Sequence, residues 1–188
     1  MMMYRITSLP PEGSVNFPKF LPKSWQDYIL RSEDLAVRER RITAAVTLLL
    51  LCEDAGIEPP TMVISENGKP DFADSPYHFN ITHAGKLLVV AIADRPIGVD
   101  LEPYVSFREG RRARFLSAFT EGERALIEAA PDLDRALIEC WVKKEAVLKQ
   151  SGIGLSGFRT VDTAAVTPTV RVRPRDNDHA EYYLCVIA

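Results

Sequence analysis

The feature that most constrains the fold is a long helical segment, residues 33–55, whose second half is apolar on almost every side. The pattern places Ser32 at its N-cap and Gly56 at its end, with two prolines just beyond. A helix that is apolar all round is buried by other elements. Because the apolar run Ile42–Cys52 is far shorter than the ~20 residues that cross a bilayer, the pattern predicts a buried helix in a protein without a membrane span.

Short strands and further helices are predicted around this helix. The strands are expected near residues 4–7, 61–65, 79–82, 87–93, 97–102, 169–173 and 181–187. Asn67-Gly68 is typical of a hairpin turn. Helices are expected over 107–118, after the capping-box pair Thr120 and Glu123, and from Asp132 to about Gly152. Apart from the strand at 4–7, residues 1–31 are predicted to be irregular, and the fold class is α+β.

Composition excludes several classes of protein. The 188 residues are 46% hydrophobic and 26% charged, a mixture typical of globular chains and not of disordered ones. The net charge of −3 does not favour a nucleic-acid-binding surface. The three cysteines have no metal-type spacing and no signal peptide is evident, which together favour a reducing, cytoplasmic location. The cysteines are Cys52, Cys140 and Cys185.

Two carboxylates in the predicted strand 97–102 are the first candidate functional group. Side chains alternate along a strand, so Asp100 and Glu102 share one face while Val99 and Leu101 point to the other. Neighbouring carboxylates repel each other, and a divalent cation with oxygen ligands, such as Mg²⁺, relieves that repulsion. The alternative is a solvated strand face that carries two acids without a function.

The predicted helix that starts at Asp132 carries the second group. Trp141, Glu145 and Lys149 are spaced i, i+4, i+8 and line one face, with Lys144 beside them. A carboxylate with lysines nearby suits a magnesium ion and the phosphate oxygens of a substrate. The alternative is an ordinary Glu–Lys pair on an exposed helix.

The third group lies at turns in the first half of the chain. It comprises Gly68-Lys69-Pro70 and the segment 78–86, which contains Thr82 and His83. Lysine, threonine and histidine beside glycine turns are suited to phosphate contacts. The alternative for His83 is a turn histidine that is hydrogen-bonded within the protein. The chain has no Walker-type loop, which makes a nucleoside-triphosphate substrate less favoured.

Taken in order, these segments resemble the 4′-phosphopantetheinyl transferases, in particular the larger, Sfp-type group. The family's Gly-Lys-Pro, Phe-Asn-Ile-Ser-His-Ser-Gly, Gly-[Ile/Val]-Asp-[Ile/Leu]-Glu and Trp-x-x-Lys-Glu-[Ser/Ala]-x-x-Lys motifs correspond here to 68–70, 79–85, 98–102 and 141–149. The resemblance covers residues 33–188 and is weak over the first 30. Thr82 and Ala84 stand where the family has two serines, so only the first hydroxyl is kept.

The resemblance implies two similar α+β halves, residues 1–97 and 98–188, in a monomer with the active site in the cleft between them. It implies magnesium as cofactor and coenzyme A as donor. The implied metal ligands are Asp100, Glu102 and Glu145. Lys144 and Lys149 are the implied phosphate contacts of the catalytic site. The implied coenzyme A contacts are Lys69, Thr82, His83 (on the 3′-phosphate) and Arg41.

The resemblance also implies a reaction, in which the 4′-phosphopantetheine arm moves to a serine of an acyl, peptidyl or aryl carrier protein and adenosine 3′,5′-bisphosphate leaves. Glu145 is the hypothetical base for the serine proton, directly or through a water molecule. Two alternatives stay open: a non-catalytic module that binds coenzyme A or a carrier protein, and a different magnesium-dependent phosphate enzyme.

A basic cluster follows the acidic strand and suggests where the carrier protein docks. Phe107 and Phe115 are interleaved with its arginines, and carrier proteins are typically acidic beside their serine. The alternative is a solvated helix face. The arginines are Arg108, Arg111, Arg112 and Arg114.

Overall fold

The computed structural model describes residues 1–65 and 68–188, which form two compact units, Met1–Ile97 and Gly98–Ala188. Helices and antiparallel strands occur in both units, which confirms the α+β class. The unit bounds coincide with the predicted halves. That these halves are similar domains with an active site in a cleft between them stays a prediction. Among the described helices, none has the length and apolarity needed to cross a bilayer.

The first unit is built on a three-stranded antiparallel sheet in the order β1-β5-β4, with β2 and β3 as a separate antiparallel pair. Strand β5 is buried at every position because a strand flanks it on each side and α2 packs against it. The elements are β1 (Met2–Ser8), α1 (Lys23–Leu30), α2 (Leu35–Ala55), β2 (Met62–Ile64), β3 (Pro70–Phe72), β4 (His78–Ala84) and β5 (Leu87–Ala93).

The predicted long helix is confirmed as α2, with one correction at its start. Asp34, not Ser32, is the N-cap, because the Asp34 carboxylate accepts a hydrogen bond from the Val37 amide at 2.9 Å. Gly56 ends the helix with a left-handed φ of 67°, as predicted. Helix α1 was not predicted, although the i, i+4 pair Trp25 and Ile29, both buried, was its signal. The predicted turn at Asn67 lies outside the described residues.

The second unit has a three-stranded antiparallel sheet in the order β6-β8-β7, and α5 packs against β6 and β8. The predicted capping box is confirmed, with Thr120 and Glu123 bonded reciprocally, and Asp132 caps α5 as predicted. The elements are β6 (Gly98–Pro103), α3 (Glu109–Leu116), α4 (Glu121–Glu128), α5 (Leu133–Ser151), a 3₁₀ turn (Leu155–Gly157), β7 (Val170–Val172) and β8 (Tyr182–Ile187).

A close contact joins the start of β6 to α5. A Cβ atom placed on Gly98 would lie 1.9 Å from the Ala146 carbonyl oxygen and 2.6 Å from the Gln150 nitrogen. Both are backbone atoms, so no rotamer change relieves the overlap. Glycine at position 98 therefore permits the backbone approach that brings the acidic strand against the helix.

Candidate active site

The two carboxylates of β6 lie where the alternation predicts them. Asp100 is only 4% exposed and Glu102 is half-buried, while Val99 and Leu101 are fully buried on the other face. The strand is therefore covered on both faces around Asp100. A solvated strand face, the alternative reading of these acids, does not fit a carboxylate this buried.

The electrostatics of this strand bring Glu145 of α5 into the same group. Burial raises the pKa of Glu102 to about 7, with further contributions from the charges of Asp100 and Glu145 and an opposing one from Lys149. Burial, followed by repulsion from Asp100, also raises the pKa of Glu145. Each acid is close enough to disfavour the charge of another, so the fold gathers all three predicted ligands.

Lys149 supplies a positive charge to this group. Its Nζ donates to Asp100 Oδ1 at 2.5 Å and thereby connects the last turn of α5 to β6. Over the described part of the chain, no cluster of His, Cys, Asp or Glu has the geometry of a finished metal site. The Lys149 charge offsets part of the repulsion among the acids, since it opposes the rise in the pKa of Glu102 and of Glu145.

The donor chemistry fits magnesium. Mg²⁺ is commonly held by one or two carboxylates and completes its shell with water and substrate phosphates, so a preformed protein cage is not required. Asp100, Glu102 and Glu145 offer oxygen donors alone, with burial and mutual repulsion that a divalent cation would relieve.

The structure contradicts the predicted phosphate contact of Lys144. Its side chain is 0% exposed, and Nζ donates to both carboxylate oxygens of Glu123, at 2.6 and 2.9 Å, and to the Val161 carbonyl at 2.6 Å. Lys144 and Glu145 are adjacent in α5, so their side chains leave the helix about 100° apart. Lys144 therefore points into the protein while Glu145 faces the acids of β6.

An aromatic cluster fixes the middle of α5. The Trp141 ring lies 4.5 Å from that of Phe158 and 5.1 Å from that of Phe115, and Phe119 makes an edge contact at 6.3 Å. These rings bury large apolar areas and interact through their quadrupoles. Trp141 therefore anchors the helix turn that precedes Glu145.

The predicted nucleotide contacts lie in the first unit. Thr82 and His83 are consecutive in β4, so Thr82, which is 7% exposed, and the exposed His83 lie on opposite faces of the strand. His83 shares its face with Phe79 and Ile81, which pack in the core of the unit. Lys69 is half-buried and directly precedes β3, which packs beside β4. Because side chains alternate along a strand, the Thr82 and His83 side chains do not contact a single ligand group from the same face of β4.

Arg41 occupies a different environment from the other predicted contacts. Its guanidinium donates to the Tyr28 carbonyl at 2.9 Å and lies 4.7 Å from the centre of the Tyr28 ring. This interaction ties α2 to α1. The bond to Tyr28 uses one of the five N–H groups of the guanidinium.

The arginines around α3 divide into two kinds. Arg112 turns inward, where it donates to Asp134 at 2.7 Å and to the Phe107 carbonyl at 3.1 Å. Arg111 lies over the rings of Phe107 and Phe115, at 5.5 and 5.6 Å. Arg108 and Arg114 are exposed. Arg112 therefore directs its charge to Asp134, and its predicted part in a docking surface stays a prediction.

Sequence reasoning missed two buried acids of this unit. It assigned Glu123 only as a capping residue and gave Asp134 no role. Asp134 accepts from the Phe107 amide at 3.0 Å as well as from Arg112, and Glu123 is fully buried with Lys144. The available signal for Glu123 was its i, i+4 spacing from the buried Ile127, but its partner lies 21 residues away.

Comparison with known proteins identifies the second unit. Residues 96–186 match the family model of the 4′-phosphopantetheinyl transferase superfamily. The chain is 32% identical over 114 residues to the 4′-phosphopantetheinyl transferase psf-1 of Bacillus pumilus, which covers 60% of this chain and 48% of psf-1. It is 36% identical over 97 residues to AcpT of Salmonella typhi, 50% of each chain.

A third relative, Sfp of Bacillus subtilis, is 36% identical over 92 residues, 48% of this chain and 41% of Sfp. The chain thus matches half or less of the length of these relatives. The matched segment, 96–186, contains β6 and α5 with all three candidate metal ligands. This segment belongs to the 4′-phosphopantetheinyl transferase superfamily, which confirms the resemblance.

Proposed function

We propose that this chain is a magnesium-dependent 4′-phosphopantetheinyl transferase that modifies a serine of a carrier protein. The observation that carries the proposal is the meeting of Asp100, Glu102 and Glu145 beside Lys149, on the two elements that the superfamily match covers. Buried acids that raise one another's pKa are unfavourable for a purely structural site and are common where a cation and phosphate are handled.

In this proposal Asp100, Glu102 and Glu145 hold Mg²⁺, which when bound would neutralise the acids and the pyrophosphate of coenzyme A. The serine Oγ forms a bond to the β-phosphorus while the bond from that phosphorus to the bridging oxygen breaks. Adenosine 3′,5′-bisphosphate leaves with the bonding electrons. Lys149, held at the site by Asp100, stabilises the charge that develops on the leaving oxygen.

The serine proton needs an acceptor, and Glu145 is the proposed base. Its carboxylate is close enough to Asp100 for their charges to repel, which puts it beside the other proposed ligands, and it would take the proton directly or through a water molecule. Lys144 is left out of the reaction because its ammonium is buried against Glu123.

Coenzyme A contacts are proposed in the first unit at Lys69, Thr82, His83 and Arg41. Lys69 and His83 would meet phosphate groups, with His83 on the 3′-phosphate, and the Thr82 hydroxyl would bond to the nucleotide. Arg41 would use the N–H groups that its bond to Tyr28 leaves over. Replacing His83 with alanine should raise KM for coenzyme A more than KM for 3′-dephospho-coenzyme A.

Intact-mass spectrometry of an apo carrier protein, incubated with this protein, coenzyme A and Mg²⁺, tests the activity. The carrier should gain one phosphopantetheine group, and the gain should disappear with EDTA or in Asp100→Asn. Glu128→Gln is the matched control, because Glu128 is an exposed acid at the end of α4. Coenzyme A binding without transfer to acyl, peptidyl or aryl carriers would favour a non-catalytic binding module, and nucleoside-triphosphate binding a different phosphate enzyme.

Carrier docking is proposed at a surface formed by Arg108, Arg111 and Arg114 with the half-buried ring of Phe115. Arg111 lies over this ring and over the buried ring of Phe107, which holds its charge at a surface that suits an acidic partner. Charge reversal at the three arginines should raise KM for the carrier about tenfold and leave coenzyme A affinity unchanged. Arg159→Glu, an exposed charge reversal outside this surface, is the control, and an equal rise in both variants would refute the docking surface.

A further inference from the structure

Lys144 and Glu123 form an ion pair that is shielded from solvent on both sides. Each side chain is 0% exposed, and the ammonium lies 2.6 Å from Glu123 Oε2 and 2.9 Å from Oε1. The rings of Phe158 and Phe119 cover the ammonium, with their centres at 5.2 and 5.9 Å. The pair is therefore enclosed, and its geometry is fixed by packing and by hydrogen bonds.

The pair connects three pieces of the second unit. Glu123 accepts from the Thr120 amide at the start of α4, at 3.0 Å, and from the Thr163 amide and hydroxyl, at 3.0 and 2.6 Å. Lys144 adds the Val161 carbonyl at 2.6 Å. Helix α4, the segment 161–163 and helix α5 thus meet at one carboxylate, whose donors and acceptors are directional.

The free energy of folding does not by itself account for a buried ion pair of this kind. Removing two charges from water costs several kcal/mol per ion, and well-packed apolar residues of similar volume are often equal or better for stability. What a fully bonded buried pair adds is a defined geometry. The residue whose geometry it would define is the next one along the helix, Glu145.

We propose that Glu123 and Lys144 are positioning residues that fix the rotation of α5 about its axis, so that Glu145 faces Asp100 and Glu102. This inference rests on the proposed function. The opposite side of the helix is fixed by the Gly98–Ala146 backbone contact and by the bond from Lys149 to Asp100. Glu145 leaves the helix between these two sets of contacts.

The required accuracy makes such a restraint necessary. Metal–ligand distances tolerate about 0.2 Å, and Mg²⁺ demands nearly ideal octahedral geometry. A misplacement of about 1 Å at a reacting group costs on the order of 100-fold in rate. A helix that turns slightly displaces a long side chain by more than the metal tolerance, because its carboxylate lies far from the helix axis.

The test compares metal binding in two double variants. Glu123→Gln/Lys144→Met removes both charges while glutamine keeps an acceptor for Thr163 and methionine keeps the length of the lysine. The control is Arg135→Met/Glu181→Gln, which removes another ion pair of α5, the 2.6 Å bond from its first turn to Glu181. Mn²⁺ affinity is measured by electron paramagnetic resonance without coenzyme A, and Tm is measured alongside.

We expect the Glu123/Lys144 variant to bind Mn²⁺ at least tenfold more weakly than wild type, and the control variant to bind it as wild type does at a similar change in Tm. Adding Glu145→Gln to the Glu123/Lys144 variant should weaken binding little further, because the position of Glu145 is already lost. Wild-type affinity in the Glu123/Lys144 variant, or equal loss in both double variants, overturns the positioning role alone. A wild-type protein that neither binds Mn²⁺ nor modifies any carrier overturns the proposed function, and the positioning role with it.

Discussion

Helices α2 and α5 hold comparable places in their own units, each packed on a three-stranded antiparallel sheet, but α5 and the part of α2 from Ala44 onward bury different kinds of side chain. Near its start α2 buries Glu39, which accepts from the Gly13 and Val15 amides, whereas from Ala44 onward its buried side chains are small or apolar except for Thr47. The buried side chains of α5 include Asp134 and Lys144 among the apolar ones, and Glu145 and Lys149 lie at its acidic face.

The difference separates two demands on a helix. An apolar face needs matching volume, and apolar cores accept alternative packings as long as volume is conserved. A face that carries charges needs defined directions, because buried charges are stable only with well-placed partners. Changes in α2 should therefore alter stability, whereas changes around α5 should alter activity and metal binding as well.

The largest expected effect is on activity, at Glu145. Glu145→Gln keeps the shape of the side chain but removes a ligand charge and the proposed base, so kcat/KM should fall about 1,000-fold, or ~4 kcal/mol in barrier. The unfolding free energy should not fall, because a buried, repelled charge is removed. Carrier modification followed by mass spectrometry measures the first quantity and urea unfolding the second. Activity within a few-fold of Glu128→Gln would exclude Glu145 from the reaction.

Gly98→Ala should have the next largest effect, on stability and metal binding together. Its Cβ would overlap the Ala146 carbonyl oxygen, so β6 and α5 must separate, at a cost of about 4 kcal/mol. Gly110→Ala is the matched control in the same unit, since nothing lies within 4 Å of its Cβ and alanine favours a helix. Thermal unfolding of both variants checks this, and similar Tm values would mean that the close approach is not needed.

The contrast between the helices also marks what sequence alone could predict. Periodicity and local end signals were sufficient for the body and the C-terminal end of α2, for the capping box of α4 and for the start of α5, although they placed the N-cap of α2 two residues too early. Strand alternation was sufficient to put Asp100 and Glu102 on one face. Each of these inferences depends on residues within a few positions of each other.

The roles of charged residues with distant partners could not be predicted in the same way. Lys144 stands in a motif with Glu145 and was assigned to phosphate, yet its partner is Glu123, in another helix. Arg112 was grouped with its neighbours by charge, but Asp134 of α5 turns it inward. A basic side chain near a site is directed by whichever acid the fold brings close, and that pairing is a property of tertiary structure.

Leu48→Ala tests whether the apolar face of α2 requires only matching side-chain volume. Leu48 is fully buried, at 0% exposure. Its truncation leaves a cavity that should lower the unfolding free energy by about 3 kcal/mol. The kcat of the folded fraction should match wild type, because no charged contact is altered. Chemical unfolding and turnover measured at a temperature well below Tm separate the two effects. A fall in kcat like that of Glu145→Gln would remove the distinction between the two helices.

The smallest expected effect is a pH dependence at the start of α5. The hydrogen bond from Arg112, with those from the Phe107 amide and Ser106, lowers the pKa of Asp134 below its usual 3.8, although burial opposes them. A lowered pKa means that the folded state holds its proton less tightly than the unfolded state, so the stabilisation is complete above about pH 4 and is lost as pH falls through the folded pKa.

Asp134→Asn should therefore cost about 1.5 kcal/mol at neutral pH, and its deficit relative to wild type should shrink in acid. Urea unfolding of wild type, Asp134→Asn and Leu48→Ala from pH 7 to pH 3 measures this. Leu48→Ala should keep a constant deficit across the range, because an apolar side chain does not titrate, and a constant deficit in Asp134→Asn would show that its carboxylate is not what makes the α5 face sensitive to charge.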